Sequence, residues 1–151
     1  MASTASIAQN IDHIELYVAR IGWATGDGDG GTDGPIKTAN TAKDGTGTVN
    51  TLFTAATNGS IIRRIRFVPV GENVASVARL FINNGGSSGT ADNNILWREV
   101  SLEATSATEV AAQDELVIHP DLYLPGSYKI LVTIGTTVAA GWRVMAEGGD
   151  F

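Results

Sequence analysis

From Ile36 to the C-terminus the apolar side chains recur at every second residue, and this period narrows the possible folds more than any other feature of the chain. In "SYKILVTIG", Tyr128, Ile130, Val132 and Ile134 share one face, while Lys129, Leu131 and Thr133 share the other. "GWRVMAEG" sets Trp142, Val144 and Ala146 against Arg143, Met145 and Glu147. "SVARLFIN" sets Val77, Arg79 and Phe81 against Ala78, Leu80 and Ile82. "NILWREVSLE" alternates more loosely, with Leu96, Val100 and Leu102 on one side beside Arg98. "GTVNTLFTA", "SIIRRIRFVPV" and the shorter "ELVIH" complete the series, with Pro69 expected at a strand end or edge because it has no N–H for a ladder. Between the runs stands turn chemistry: "KDGTG", "TNGS", "VGEN", "NNGGSSGTADNN" and "LPGSY". Roughly seven or eight short strands at this spacing predict an antiparallel β-sandwich of jelly-roll type. No long helix-period segment interrupts them, which argues against βαβ units.

Composition agrees. A chain of 151 residues suits one domain, and 43% hydrophobic content supplies a core. Its 18 glycines, with abundant Ala and Thr, favour strands and tight turns over helices. The net charge of −6 repels a phosphate backbone, so no nucleic-acid partner is expected. The absence of cysteine removes disulfides, thiolate metal sites and thiol nucleophiles together. "MASTASIAQNIDHIELYVAR" has no basic n-region and carries Asp12 and Glu15 within its apolar part, so no secretory leader is expected. No apolar run reaches the length of a membrane span, and a soluble protein made in the cytoplasm is the expectation.

The first third reads differently, and the expected division is an N-terminal arm and hinge over residues 1–34 and a β-sandwich over 35–151. Ile11, Ile14, Val18 and Ile21 fall at helical spacing with Asn10 as a cap. Ile14, Leu16 and Val18 equally alternate with Glu15, Tyr17 and Ala19 as in a strand, so an extended arm or added strand stands beside the helix. The following stretch, "GDGDGGTDG", brings Asp27, Asp29 and Asp33 together as candidate metal ligands. Counted as a calcium loop from Asp27, it holds Gly31, Thr32 and Thr38 where an oxygen ligand, a glycine and a glutamate are required. A soluble hinge is the better reading, and no metal or other cofactor is expected.

Reactive groups are scarce. The histidines are His13 and His119, and His119 stands at a strand end in "VIHPDLYLP". A Ser–His–Asp set from His119, Asp121 and a serine has no Gly-x-Ser-x-Gly elbow to support it, so His119 reads as a turn residue and no enzyme is expected. Asp114 and Glu115 are adjacent, and on a strand adjacent side chains point to opposite faces, which rules out a carboxylate dyad there. Glu99 and Glu103 read as a solvated strand face and its end. No Walker loop is present. "IIRRIRF" is the one basic cluster: Arg64 and Arg66 share a face, while Arg63 falls with Ile61, Ile65 and Phe67. Arg63 therefore sits near a strand end, pairs with an acid, or faces a partner subunit. Arg64 and Arg66 are candidates for docking on an acidic protein surface, or else form a solvated face with weak salt bridges. Trp23, Trp97 and Trp142 sit in strand patterns as core residues, with sugar stacking as the other reading.

Four stretches carry a resemblance. "ANTAKDGTGTV", "RLFINNG", "LPGSYKI" and the ending "AAGWRVMAEGGDF" are similar to those of small structural proteins of tailed bacteriophages, over roughly Ile36 to Phe151. Several such proteins look like β-sandwich decoration or cement proteins on the outside of the head. The resemblance implies a non-enzymatic virion protein that binds the major capsid protein lattice and stabilises the head. It implies a homo-oligomer, a trimer above all, and a location on the outer capsid surface after assembly in the host cytoplasm. The alternative within this reading is a tail or head-fibre component, and beyond it a carbohydrate-binding β-sandwich module. The segment before Gly34 departs from the family pattern; its apolar residues Ile14, Leu16 and Val18 are candidates for strapping neighbouring subunits.

Overall fold

A computed structural model describes residues 18–23 and 34–151. These residues form nine strands and one short 3-10 turn, and no α-helix is found among them. The strands are β1 (Val18–Trp23), β2 (Asn50–Thr54), β3 (Ser60–Pro69), β4 (Ser76–Asn83), β5 (Asn94–Leu102), β6 (Leu116–Ile118), β7 (Leu122–Leu124), β8 (Lys129–Ile134) and β9 (Trp142–Asp150). They build two antiparallel sheets. The first has the order β1-β9-β3-β6, with β7 also on β3; the second runs β2-β8-β4-β5. Pro69 closes β3, opposite Trp142, where the ladder ends and no N–H is missed.

One apolar core lies between the sheets. Ile62, Ile65, Phe67, Val144 and Ala146 enter it from the first sheet, and Phe53, Ala78, Leu80, Ile130, Val132 and Ile134 from the second. Each is almost or fully inaccessible, and a buried Leu, Ile or Phe contributes about 1.5–3 kcal/mol. Trp97 and Tyr128 pack on this core from its rim.

Three bulges break the period-two pattern, and each moves residues to a face that simple alternation does not predict. In the β3–β9 ladder the register shifts between Ile62 and Arg64, leaving Arg63 as the extra residue. Ile61 consequently faces outward with Arg64 and Arg66, opposite Gly149, Glu147 and Met145, while Ile62, Ile65 and Phe67 face the core. Arg63 is exposed and does not share a face with Ile65 and Phe67. In β5 the shift falls around Trp97, so Leu96 stands opposite Phe81 whereas Val100 stands opposite Ala78. Leu96 and Val100 therefore lie on different faces. In β2, Leu52 is the extra residue and both Leu52 and Phe53 are buried.

The outer face of the second sheet is covered as well. Arg79, Phe81, Leu131 and Thr133 all point away from the core, yet all are buried. Residues 40–49 run along this face: the Asn40 carbonyl accepts from Arg79 Nη1 at 3.1 Å, Lys43 lies 3.7 Å from Glu99, and the Asp44 carbonyl accepts from Asn94 Nδ2 at 3.2 Å. Its shape is held from within, because Asn40 Nδ2 donates to the carbonyls of Thr46 and Thr48, both at 2.8 Å. Gly45 and Gly47 adopt φ of 75° and 81°, which an L side chain resists.

Strand β1 belongs to the first sheet through β9, with Val18 opposite Asp150 and Trp23 opposite Met145. Arg20 ties it down. Its guanidinium donates to both carboxylate oxygens of Asp150 at 3.0 and 3.1 Å, reaches the Thr54 carbonyl of β2 at 2.7 Å, and lies 4.2 Å from the Phe53 ring centroid. Residues 18–23 thus lie in the sheet as its edge strand. The remainder of the expected arm and hinge, including Ile14, Leu16, Asp27, Asp29 and Asp33, lies outside the described residues.

Candidate functional site

The arginines of β3 form an ion-paired lattice on the outer face of the first sheet. Arg64 Nε donates to Glu147 at 2.7 Å and its Nη2 engages the same oxygen. Arg66 Nε and Nη2 hold Glu115 at 2.9 and 2.5 Å, and its Nη1 lies 3.6 Å from Glu147. The hydrogen bonds that Arg66 donates to Glu115, with the charge of that carboxylate, push Arg66 further toward the protonated form. Arg63, lifted out by the bulge, pairs with Asp121 at 3.0 Å; of the options open to it, it takes the acid, in mid-strand. The forks of Arg64 and Arg66 are thus directed at carboxylates of their own chain. All three pairs are at least partly exposed, where such pairs contribute about 0–1 kcal/mol. Val18 is the first residue of β1.

His119 falls in the interruption between β6 and β7, opposite the β3 bulge, and is exposed. Asp121, at φ 45°, turns its carboxylate to Arg63. No group of three acidic or histidine side chains stands close enough to hold a metal ion among the described residues.

A cavity of about 390 Å³ opens at the end of the sandwich where β5 leaves and β6 and β9 begin. Trp142 forms part of its wall beside Thr105 and Gln113, and Glu103, Asp114 and Glu115 stand around it. Alternation does not separate Asp114 from Glu115, because β6 begins only at Leu116 and both acids precede it. Glu115 is taken by Arg66; Glu103 and Asp114 enter none of the ion pairs among the described residues. Trp142 is 3% exposed and fixed by backbone bonds to Ile36 at 2.9 and 3.0 Å. Its indole Nε1 is buried and has no hydrogen-bond partner among the described residues.

Asn73 organises this end. Its Nδ2 donates to the Gly141 carbonyl at 3.1 Å and to Thr105 Oγ1 at 3.2 Å, and its Oδ1 accepts from Gly141 N at 2.7 Å and Ala140 N at 3.1 Å. Its backbone also exchanges both bonds with Thr105, at 3.1 and 2.9 Å. Three connections, residues 70–75, 103–115 and 135–141, are thereby joined through one side chain. Sequence reasoning passes over Asn73, since a lone Asn in "VGEN" reads as turn punctuation. It likewise passes over Arg20, and places Trp142 as core, with sugar stacking as the other reading.

The covering segment has its own electrostatics. Hydrogen bonding from Arg79, then the charges of Lys43 and Arg79, hold the Glu99 carboxyl below its ordinary range. The hydroxyl and N–H of Thr46 do the same for Asp44. Asn94 gathers the far end, donating to the carbonyls of Asp44, Ser88 and Thr90, while its Oδ1 accepts from Asn83 at 2.8 Å.

Compared with known protein families and with curated proteins, the chain matches none.

Proposed function

We propose that this protein is a structural protein of a tailed-bacteriophage virion: a decoration, or cement, protein that binds the outer surface of the major capsid protein lattice and stabilises the head. The observation that carries the proposal is the strand order. With β6 and β7 counted as one interrupted strand on the edge of β3, the two sheets run first-eighth-third-sixth and second-seventh-fourth-fifth. We read it as the order that wrapping one long antiparallel hairpin around a core would give, which supports a jelly roll, an architecture common in viral capsid and lectin domains. The resemblance of "ANTAKDGTGTV", "RLFINNG", "LPGSYKI" and "AAGWRVMAEGGDF" to phage structural proteins supplies the function, which a fold alone does not.

The internal bonding favours this role. Cement needs a stiff body, and here a segment covers the second sheet's outer face, an arginine ties the edge strand across to the other sheet, and an asparagine joins three loops. In this reading the protein acts as a homo-oligomer, a trimer at threefold positions, and performs no catalysis. Each contact with the shell is modest and repetition over the lattice supplies avidity. The N-terminal segment straps neighbouring subunits.

The test is co-sedimentation of the purified protein with shells of the major capsid protein that lack it. Saturable binding at a fixed ratio to lattice positions, with raised shell disruption temperature, is the expected result; no binding to shells refutes the proposal. A chain lacking residues 1–17, which keeps β1, separates the strap from the body. Unchanged binding by that variant would remove the strap and leave the cement reading standing.

A further inference from the structure

We infer that Asn58 is a self-modification site: it exchanges its side-chain amide for water, becoming aspartate or isoaspartate, and the isoaspartate form loosens the anchor of β1. This chemistry is independent of lattice binding. The chain holds two Asn-Gly pairs, Asn58-Gly59 and Asn84-Gly85, and every other asparagine precedes a residue with a side chain. The reaction begins when the next residue's backbone nitrogen attacks the asparagine Cγ, and glycine, with no Cβ, obstructs that approach least. The new N–C bond closes a five-membered imide and the C–N bond to the side-chain amide breaks. That nitrogen leaves as ammonia, taking the proton given up by the glycine N–H. Water then opens the imide. Addition at Cγ gives aspartate; addition at the backbone carbonyl gives isoaspartate, whose main chain runs through Cβ and is longer by one carbon.

The structure separates the two pairs. Asn58 is exposed in the turn between β2 and β3, and its side chain makes no hydrogen bond among the described residues. One bond must open, that of Gly59 N to the Ala56 carbonyl at 2.9 Å, and an exposed turn opens readily. Asn84 is exposed too, but pinned. Its Oδ1 accepts from Gly86 N at 3.0 Å, its Nδ2 donates to Asn93 Oδ1 at 3.1 Å, and the attacking nitrogen, Gly85 N, donates to Asn83 Oδ1 at 2.9 Å. The neighbours of the Asn58 turn give its modification a consequence. Ala56 N donates to Ser60 Oγ at 3.0 Å, Ser60 Oγ donates to Asp150 at 2.5 Å, and Asp150 accepts from Arg20 of β1 at 3.0 and 3.1 Å. Phe151 N donates to the Gly59 carbonyl at 3.1 Å. An added main-chain carbon between Ala56 and Ser60 disturbs both the relay to Arg20 and the seat of the C-terminus.

The experiment incubates the purified full chain at mildly alkaline pH, where the attacking nitrogen more often loses its proton. Mass spectrometry follows each Asn-Gly peptide for the mass gained when –NH2 becomes –OH, and protein isoaspartate methyltransferase labels the isoaspartate product. Conversion at Asn58 is expected to be about tenfold faster than at Asn84 or more, because Asn84 must first give up two further hydrogen bonds. Hydrogen exchange then compares the isoaspartate chain with fresh chain and with N58D, which carries the charge without the added carbon. Faster exchange over residues 18–23 is expected for the isoaspartate chain alone. N58Q, whose ring closure needs a six-membered imide, keeps the fresh pattern through the same incubation. The inference is overturned if Asn58 stays intact, if Asn84 converts as fast, if the isoaspartate chain exchanges over residues 18–23 no faster than N58D, or if N58Q loosens equally.

Discussion

Replacing Asn73 with alanine puts the most weight on a single side chain. Not every bond it makes is lost to the partners. Ala140 N retains the Glu72 carbonyl at 3.3 Å, the Gly141 carbonyl retains Val70 N at 3.1 Å, and Thr105 Oγ1 retains the Gly71 carbonyl at 2.7 Å. Among the described residues Gly141 N has only Asn73 Oδ1, at 2.7 Å, and that bond is buried. One buried donor left bare costs about 1–3 kcal/mol, and the other bonds together add about 1 kcal/mol net. The expected loss is about 2–4 kcal/mol. For a chain of this size that lowers Tm by about 4–16 °C. Urea unfolding followed by far-UV circular dichroism gives the free energy, and thermal unfolding gives the shift. A loss under about 0.5 kcal/mol, the range of an ordinary surface substitution, would refute the claim that Asn73 joins the three loops.

Three further outcomes are expected. Gly148→Ala builds a Cβ 1.9 Å from the Ile61 carbonyl, where β9 passes β3 beside the bulge, and lowers stability by about 2 kcal/mol or more; Gly89→Ala, whose Cβ meets nothing nearer than Ser87 Oγ at 3.5 Å, is close to neutral in the same urea titration. Arg64→Ala removes an exposed pair and costs under about 1 kcal/mol, whereas Arg79→Ala uncouples Asn40 and Glu99 beneath the covering segment and costs about 2–3 kcal/mol. Glu99 and Asp44 are held below their ordinary values when folded, so their contribution is complete above about pH 4–5 and is lost as pH falls through the folded values. Stability therefore declines from pH 5 to pH 3, and Glu99→Gln flattens part of that decline; an unchanged slope would show that Arg79 and Lys43 do not hold Glu99.

The sheets are legible where alternation runs unbroken. β4 and β8 fall inside the stretches that period two marks, and β9 runs two residues past the end of its stretch, because each alternates between turn signals. Faces are less legible than strands. A bulge inserts one residue and reverses the parity of everything beyond it, and nothing in "IIRRIRF" or "ILWREV" announces Arg63 or Trp97 as that residue. β7 escapes detection because the His119–Asp121 interruption leaves it only three residues. Leu131 and Thr133 are buried on the supposed outer face of a strand that residues 40–49 join through Asn40 N and the Ile134 carbonyl at 2.7 Å, a contact between residues more than ninety positions apart that no local pattern encodes. The cavity was the least visible, since Glu103, Asp114 and Trp142 are brought together only by the meeting of three connections, and an indole without an acceptor has no sequence signature.

The proposed function rests on a protein repeated over the outside of a phage head. On that proposal, imaging phage particles that carry this chain, at a resolution that separates a body of 15.7 kDa, counts its copies directly. The account predicts threefold clusters on the outer shell in numbers set by the lattice, on the order of hundreds per head, as avidity over a repeated surface requires. Density confined to the tail or to a single vertex, or none on the shell, would contradict it.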